Sequence, residues 1–351
     1  MDSNISGKIG GNKPVIGITI GDINGIGPEI IIKSLLDNRV LNHLIPVIYG
    51  STKTLSYYRK SLDLYDFNFT PVKDDGIYSS KRVNVVNCWE DVVEIKTGEV
   101  TIAAGECSRV ALEKVAEALK QHVIDAVVTA PINKSNIYSD KFQFKGQTEF
   151  FDSKFGQGNS MMMMVSENLK IGLVTDHIPL SEVAGAITEN RLALKLSKFE
   201  QSLKLDFGIS KPKIAVLGLN PHAGEEGLIG SEEKDILIPV IKDFKNKGKL
   251  VYGPYPSDGF FGNMQFKQYD GILCMYHDQG LIPFKSLSFD TGVNFTAGIN
   301  IVRTSPDHGT ANSIAGKNLA SEKSMREALF LACDIVKKRK EELVQKVTDF
   351  S

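Results

Sequence analysis

Three histidines each follow a short apolar run that is typical of a buried strand. His277 comes after Gly271 to Met275, His177 follows IGLVTD, and His222 follows KIAVLGLNP. The carboxyl ends of parallel strands meet at one edge of a sheet, where open α/β folds bind their ligands. Imidazole nitrogen is a common ligand of divalent metal ions. The spacing along the chain is no metal motif by itself, but three equivalent positions predict one metal ion held by His177, His222 and His277.

A divalent ion held by three neutral imidazoles keeps its full positive charge, so such a site favours an anionic ligand such as an alkoxide or enolate. Lys285 and Arg303 lie in otherwise apolar, glycine-bearing segments. A cation aimed at a phosphate or carboxylate would be kept in such a segment, although an ordinary surface charge explains each residue equally well. Other polar candidates near the histidines are Asp176, Asn220, Glu225, Glu226, Asp258, Asp278 and Asn294.

A glycine-rich turn follows the first predicted strand, Val15 to Ile20, and leads through GDINGIGPE into a predicted helix from Glu29 to Leu36. Pro28 suits the first turn of a helix, and Glu29 suits its positive end. Phosphate or dinucleotide binding at this helix start is one interpretation. The glycines do not have the G-x-G-x-x-G spacing and no P-loop lysine follows, so a plain tight turn is equally consistent.

Length and composition describe an ordinary globular protein. The 351 residues suggest about two domains, and a formal net charge of -1 does not favour binding to nucleic acid or anionic membranes. The four cysteines form no CxxC pair, as expected for reduced thiols. No apolar run approaches the roughly 20 residues of a membrane span. The polar first twelve residues, MDSNISGKIGGN, read as a mobile tail without a hydrophobic signal region, which favours a cytoplasmic protein.

Strand-like and helical patterns alternate along the chain. Helical patterns at Thr52 to Leu62 and Thr101 to Gln121 separate apolar runs, and four methionines in Met161 to Val165 read as another buried strand. A long helix from Ser321 to Leu343 closes the chain. This alternation predicts an α/β fold with a mostly parallel sheet.

The motifs together resemble those of the 4-hydroxythreonine-4-phosphate dehydrogenase family of pyridoxal phosphate biosynthesis. The resemblance extends from about Lys13 to the final helix and is most specific around the three histidines. It is carried by GDINGIGPEI, TAPINK, GQTEF, VTDHIPL, GLNPHAGEEGLIGSEE, GPYPSDGFF, YHDQGLIPFK, GVNFTAGINIVRTSPDHGTA and IAGK.

The resemblance implies a fold like that of isocitrate and isopropylmalate dehydrogenases, with two α/β domains around a cleft. Residues 13–140 and 310–351 would form the first domain, and residues 141–309 the second domain, with most metal and substrate residues. The family works as a homodimer, so the metal (zinc, magnesium or cobalt) would be shared between subunits. The implied metal ligands are His177, His222 and His277, and the implied substrate contacts are Gln147, Thr148, Lys285, Asn294 and Arg303.

The implied reaction is oxidation of 4-phosphooxy-L-threonine by NAD or NADP to a 3-keto acid, which decarboxylates to 3-amino-2-oxopropyl phosphate. Lys285 is the preferred residue for acid–base help, with Asp258 second. The family usually reads GHTE, whereas this chain reads GQTE, and Gln147 cannot titrate near neutrality. A dehydrogenase of another phosphorylated hydroxy acid, such as 4-phosphoerythronate, therefore stays open. A zinc hydrolase and a non-catalytic phosphate-ligand binder are further alternatives.

Overall fold

The computed structural model describes the backbone of residues 13–349 and the side chains of residues 13–345. The predicted mobile tail, residues 1–12, lies outside the described residues. The chain divides into two compact units, which are described separately below. Unit 1 contains the described residues up to Lys154 together with Ile301–Lys337, and unit 2 contains Phe155–Asn300 and the residues from Lys338 onward.

Strands and helices alternate through most of the chain, which confirms the predicted α/β class. The strands in the described part are β1 (Val15–Thr19), β2 (Ile45–Gly50), β3 (Phe69–Val72), β4 (Val83–Asn87), β5 (Ala126–Thr129), β6 (Met161–Ser166), β7 (Leu169–Leu173), β8 (Ile214–Leu217), β9 (Val251–Tyr255), β10 (Gly271–Cys274), β11 (Val293–Ala297) and β12 (Val302–Pro306). The α-helices are α1 (Gly27–Leu35), α2 (Thr52–Ser61), α3 (Ile102–Lys120), α4 (Lys134–Ile137), α5 (Gln147–Phe155), α6 (Leu180–Ala186), α7 (Glu189–Leu205), α8 (Ile238–Asn246), α9 (Ser257–Gly262), α10 (His277–Ser288) and α11 (Lys323–Asp349).

Unit 1 contains a parallel sheet with the strand order β3-β4-β2-β1-β5-β12. Its central strands are apolar on both faces, as the continuous hydrophobic runs predict, and Ile16, Ile18 and Val127 are fully buried. Each such side chain contributes about 1.5–3 kcal/mol through burial. The side chain of Thr101 caps α3 by accepting a hydrogen bond from the backbone N–H of Ala104, so the predicted helix start is confirmed.

Unit 2 contains a mixed sheet with the strand order β11-β6-β7-β10-β8-β9. β6 runs antiparallel to both β11 and β7, whereas β7, β10, β8 and β9 are parallel to one another. The four methionines of β6 are all buried, which confirms that the run is a core strand. Met164, Ile171, Leu217, Ile272 and Phe284 belong to the hydrophobic core of this unit. That core supports the carboxyl ends of three adjacent parallel strands.

The unit boundaries differ from the domain boundaries that the resemblance implied. They lie after Lys154 and Asn300 instead of near residues 140 and 309, and the end of α11 belongs to unit 2 instead of the first domain. Within unit 2, Arg339 Nε on α11 donates to Oδ1 of the buried Asp206, the residue that follows α7, at 2.7 Å.

All four cysteines are free and buried, which confirms the expectation of reduced thiols. Burial raises the pKa of the Cys107 thiol to about 12, so this thiol stays protonated at neutral pH. Among the described residues, none of the helices combines the length and apolar character that a membrane span requires.

Candidate functional site

The three histidines follow three adjacent parallel strands of unit 2. β10 pairs with β7 on one side and with β8 on the other, and all three strands run in the same direction. His177 follows β7, His277 begins α10 directly after β10, and His222 lies in a tight turn after β8. The structure therefore places all three imidazole-bearing segments at the carboxyl edge of one sheet, as the sequence predicts.

Two of the three imidazoles lie close together. The ring centroids of His177 and His277 are 5.7 Å apart, with 42° between the ring planes. Two imidazoles bound to one ion bring their ring centres to about 5 to 6 Å, because each metal–nitrogen bond is about 2 Å long. His277 Nδ1 contacts Asp278 Oδ1 at 2.7 Å, so Nε2 is the nitrogen that this contact leaves for a metal ion. This donor pair fits a divalent cation.

The described residues of one chain do not add a third metal ligand to this pair of histidines. Among the residues that the structure describes, no group of three or more His, Cys, Asp or Glu side chains is placed to hold a metal ion. The three-histidine metal site therefore stays a prediction.

His222 lies in a left-handed turn that few sequences adopt. Five consecutive residues, His222 to Glu226, have φ between 42° and 81°, and four of them are not glycine. A left-handed conformation costs about 1–2 kcal/mol for each such residue, so the surrounding structure must hold the turn. Gly224 lies at its centre, where an added Cβ would come within 2.7 Å of Glu233 Oε2.

The carboxylate of Glu233 holds the segment that leads into this turn. It is buried, with 3% of the residue exposed. Its Oε1 accepts hydrogen bonds from the backbone N–H groups of Leu219 and Asn220, both at 2.7 Å, and its Oε2 accepts from Asn220 Nδ2 at 2.9 Å. Asn220, a candidate for ligand binding on sequence, is thus engaged inside unit 2. Glu225 and Glu226 are exposed on the turn.

Unit 1 carries a buried guanidinium at the carboxyl edge of its own sheet. Arg303 on β12 is 3% exposed. Its Nε and Nη2 donate to Thr129 Oγ1 at 3.2 and 2.8 Å, and its Nη1 donates to Thr148 Oγ1 at 3.2 Å. Burial lowers the pKa of Arg303 to about 10, and the charge of Glu149 opposes this shift. The guanidinium stays positive at neutral pH, and a desolvated cation of this kind attracts a carboxylate or phosphate.

Gln147 directly precedes Thr148, which accepts a hydrogen bond from Arg303, and is buried at the start of α5, with 9% of the residue exposed. Its Nε2 donates to the carbonyl oxygen of Ala130 at 3.0 Å. Its Oε1 is buried and has no hydrogen-bond partner among the described residues. A buried acceptor without a donor is costly, so a bound ligand that donates at this position would be stabilised.

The remaining predicted residues lie in unit 2. Lys285 is half-buried on α10, the helix that begins at His277, and Asp258 is exposed in the first turn of α9. Asn294 lies on β11, where its Oδ1 is buried without a hydrogen-bond partner among the described residues. Asp176 Oδ1 accepts from the backbone N–H of His177 at 2.8 Å. The structure brings together His177 with His277 and Thr148 with Arg303, and the roles of all the predicted site residues stay predictions.

In the glycine-rich turn of unit 1, the side chains of Asp22 and Asn24 form hydrogen bonds within the unit. Asp22 is 2% exposed; its Oδ1 accepts from the backbone N–H of Asn24, and its Oδ2 accepts from Asn136 Nδ2, both at 2.8 Å. Asn24 in turn donates to Glu99 O and Thr101 Oγ1. These contacts support the interpretation as a tight βα turn.

Several residues that organise these sites were missed on sequence. Thr129 accepts a hydrogen bond from the Arg303 guanidinium, and Glu233 accepts from the segment that leads into the left-handed turn. The Gln279 amide forms hydrogen bonds with the ends of two separate strands. Gln279 lies inside the HDQG motif that singled out His277, so the motif was the available signal. Two of its partners, Gly218 and Ser257, come from other segments of the chain, so spacing alone could not identify them.

Two solved structures that cover almost the whole chain are named as dehydrogenases. The chain is similar to 4-hydroxythreonine-4-phosphate dehydrogenase from Klebsiella pneumoniae, with a TM-score of 0.79, 34% identity and coverage of 92% of this chain and 98% of that chain. It is also similar to a terephthalate 1,2-cis-dihydrodioldehydrogenase from Burkholderia xenovorans, with a TM-score of 0.62, 25% identity and coverage of 92% and 98%. The fold and the site thus define an α/β dehydrogenase.

The sequence comparisons narrow this class to a family. The chain is 48% identical over 337 residues to 4-hydroxythreonine-4-phosphate dehydrogenase from Bacteroides thetaiotaomicron. The aligned residues cover 96% of this chain and 92% of that relative. Residues 42–332 match the family described as pyridoxal phosphate biosynthetic protein PdxA. The chain belongs to this PdxA family, and the predicted resemblance is confirmed.

Proposed function

We propose that this protein oxidises 4-phosphooxy-L-threonine with NAD or NADP and a divalent metal ion, in the biosynthesis of pyridoxal phosphate. The hydride on C3 of the substrate passes to the nicotinamide ring, and the C3 hydroxyl loses its proton. The resulting 3-keto acid loses its carboxylate as carbon dioxide when the C1–C2 bond breaks, and C2 gains a proton. The product is 3-amino-2-oxopropyl phosphate.

The observation that chiefly supports this proposal is the 5.7 Å separation of the His177 and His277 rings at the carboxyl edge of the unit 2 sheet. His177, His277 and His222 would hold the metal ion. When bound, a divalent cation there supplies Lewis acidity that lowers the pKa of an alcohol and stabilises negative charge on oxygen. Imidazole donors favour zinc or cobalt over magnesium.

Arg303, Thr148 and Gln147 would bind the polar groups of the substrate. The guanidinium of Arg303 attracts a carboxylate or phosphate, and its hydrogen bonds to Thr129 and Thr148 fix its orientation before the substrate arrives. The Gln147 amide already donates to Ala130, so its Oε1 would accept a hydrogen bond from the substrate. Because Gln147 cannot titrate near neutrality, we assign it a binding role and no proton transfer.

Lys285 and Asp258 are the proposed acid–base residues, and Asn294 is a proposed substrate contact. Lys285 is half-buried on the same helix as His277, which favours it for accepting the proton of the C3 hydroxyl and returning a proton to C2. Asp258 is exposed and is the second candidate for the same role. Asn294 has a buried Oδ1 that lacks a donor among the described residues, so it would accept a hydrogen bond from the substrate.

A homodimer would complete the metal site. Large apolar side chains are exposed close in sequence to each histidine, and among the described residues His177 and His277 are close together without forming a group of three ligands. An apolar surface beside an incomplete ligand set supports a second copy of the chain as the partner. The exposed apolar residues are Leu180 at 74%, Leu228 at 84%, Ile282 at 64% and Phe289 at 76%.

The test is a panel of phosphorylated hydroxy acids assayed with NAD and with NADP, with and without a chelator. We expect absorbance of the reduced cofactor to rise fastest with 4-phosphooxy-L-threonine, and chelation to abolish the rise. Faster turnover of 4-phosphoerythronate would replace the proposed substrate. Hydrolysis of a phosphate ester or amide without a nicotinamide would reject the dehydrogenase, and binding without cofactor reduction would indicate a non-catalytic binder.

A further inference from the structure

We infer that Gln279 is a positioning residue that fixes the three histidine-bearing strand ends of unit 2 relative to one another. This inference rests on the proposed metal-binding function of those histidines. Gln279 lies on α10 next to the HD pair of the motif and is 8% exposed. Its side chain forms hydrogen bonds with three different segments, and none of these bonds involves an imidazole.

The Gln279 amide is fully engaged and therefore fixed in orientation. Its Oε1 accepts from the backbone N–H of Met275 at 2.6 Å. Its Nε2 donates to the carbonyl oxygen of Gly218 at 2.5 Å and to Ser257 Oγ at 2.7 Å. Reversing the amide would place its N–H groups against the N–H of Met275 and its oxygen against the oxygen of Gly218. The observed orientation therefore joins the end of β10 to the end of β8.

The backbone of Met275 extends this connection to β7. Its carbonyl oxygen accepts from the backbone N–H of Thr175 at 3.1 Å and from Thr175 Oγ1 at 2.7 Å. Thr175 is 1% exposed, so these bonds lie away from water. Met275 and Thr175 lie just before His277 and His177, whose rings are close together. The separation of those two rings thus depends on the backbone of Met275, whose N–H donates to Gln279 and whose carbonyl oxygen accepts from Thr175.

Gly218 carries the same connection toward His222. The carbonyl oxygen of Gly218 accepts from Gln279, and the next two backbone N–H groups, of Leu219 and Asn220, donate to the buried carboxylate of Glu233. The strained left-handed turn begins directly after these residues. Gln279 and Glu233 hold the carbonyl and the N–H of the same Gly218–Leu219 peptide group, and Glu233 also holds the next N–H, so together they fix the direction in which the chain enters the turn that presents His222.

Ser257 connects the same amide to the proposed acid–base residue Asp258. Ser257 and Asp258 begin α9, and Ser257 Oγ accepts from Gln279 Nε2. One buried amide therefore contacts the segments that precede His277 and His222 and the helix that carries Asp258. Side chains that orient metal ligands typically change metal affinity about 10- to 100-fold when removed.

The experiment compares Gln279→Met, Gln279→Glu and Asp270→Ala in the full-length protein. Methionine keeps the volume and loses all three hydrogen bonds, whereas glutamate keeps the acceptor for Met275 and cannot donate to Gly218 as a carboxylate. Asp270 is the matched control, because its Oδ2 accepts from Lys213 N at 2.7 Å between the opposite ends of β8 and β10. Zinc affinity is measured by competition with a chromophoric chelator, and hydrogen exchange of residues 219–226 and 275–278 is followed in the metal-free protein.

We expect both Gln279 variants to bind zinc about 10- to 100-fold more weakly and to exchange faster in both segments. Asp270→Ala should lower Tm and leave zinc affinity and exchange in these segments unchanged. Unchanged zinc affinity and unchanged exchange in both Gln279 variants would overturn the inference, as would an equal loss of affinity in Asp270→Ala. If circular dichroism shows that Gln279→Met does not fold, zinc affinity and hydrogen exchange are compared in Gln279→Glu and Ser257→Ala instead.

A failure of the proposed function gives a different result. If the wild-type protein binds no stoichiometric zinc, cobalt or magnesium and His277→Ala changes nothing, the metal assignment is wrong. The exchange measurement in the metal-free protein still decides whether Gln279 fixes the two segments, because it requires no metal and no turnover.

Discussion

The carboxyl edges of the two parallel strand sets carry polar groups of opposite character. In unit 1, Arg303 is buried and its guanidinium is oriented by two threonine hydroxyls of the same unit. In unit 2, His177 and His222 are exposed, and among the described residues no three ligands come together. The guanidinium at the unit 1 edge is held by contacts within its own unit. At the unit 2 edge, the described residues of one chain do not form a group of three metal ligands.

This difference indicates where stability and function are coupled. A buried hydrogen-bonded cation contributes to folding as well as binding, since removing it leaves its partners unsatisfied. An exposed imidazole contributes little to folding, so its loss affects binding alone. Substitutions in unit 1 should therefore change both stability and KM, whereas substitutions of the histidines should change activity with little change in stability.

The largest effect is expected for His277→Ala. Removing one ligand of the proposed pair should abolish stoichiometric metal binding and reduce turnover about a thousandfold or more, since Lewis-acid stabilisation is worth several kcal/mol. Metal content after dialysis and cofactor reduction measure both effects. The free energy of unfolding without metal should change by about 0.5 kcal/mol or less. His122→Asn is the control, because His122 is an exposed residue at φ 55° and asparagine tolerates that conformation. Retained metal binding in His277→Ala would remove this residue from the site.

Arg303→Lys should sharpen the contrast between the two edges. A lysine keeps the charge but cannot donate to Thr129 and Thr148 in the same planar geometry. We expect a loss of about 1–3 kcal/mol in the free energy of unfolding and a rise of about tenfold or more in KM for the phosphorylated substrate. Denaturant titration and saturation kinetics measure these changes. Arg326→Lys changes a partly exposed ion pair with Glu322. It should alter the free energy of unfolding, and the free energy that corresponds to the change in KM, by no more than about 0.5 kcal/mol each. Equal stability losses in the two variants would contradict the role of burial.

Gln147→Leu should have an intermediate effect on binding and a small effect on folding. The substitution removes the hydrogen bond to Ala130 but also removes the unsatisfied Oε1, so the two stability changes largely cancel within about 1 kcal/mol. KM should rise about five- to tenfold, because the substrate loses one buried acceptor. Gln147→His serves as the matched variant and should keep KM within about threefold, since imidazole can both donate and accept. An unchanged KM in Gln147→Leu would exclude Gln147 from substrate binding.

The sequence predicted the parts of the site that depend on local patterns. His177 and His277 follow continuous apolar runs, and such runs are a reliable signal of buried parallel strands, so their place at the sheet edge was confirmed. Strand β11, Val293–Ala297, was missed because its sequence VNFTA alternates weakly and lies between glycines.

The features that the sequence could not predict depend on tertiary partners. Arg303 was predicted to bind an anion, but its orientation depends on Thr129, which comes from a strand far away in the chain. The antiparallel direction of β6 also follows from pairing and not from its methionine run. The left-handed turn was hidden for the same reason: its conformation is unfavourable for His222, Ala223, Glu225 and Glu226, and a buried Glu233 holds the segment before it.

Ala223→Gly tests whether that unfavourable turn matters, and it should have the smallest effect. Glycine relieves left-handed strain of about 1–2 kcal/mol at φ 52° and adds about 0.5–1 kcal/mol of backbone entropy to the unfolded chain. The free energy of unfolding should therefore rise by about 1 kcal/mol or less, while zinc affinity should fall a few-fold because the His222 segment becomes less restricted. Asn318→Gly, an exposed residue at φ 58° in unit 1, is the control and should leave zinc affinity unchanged. Stronger zinc binding in Ala223→Gly would mean that the turn restrains His222 in a geometry unsuited to the metal, and that the incomplete edge of unit 2 is not preorganised.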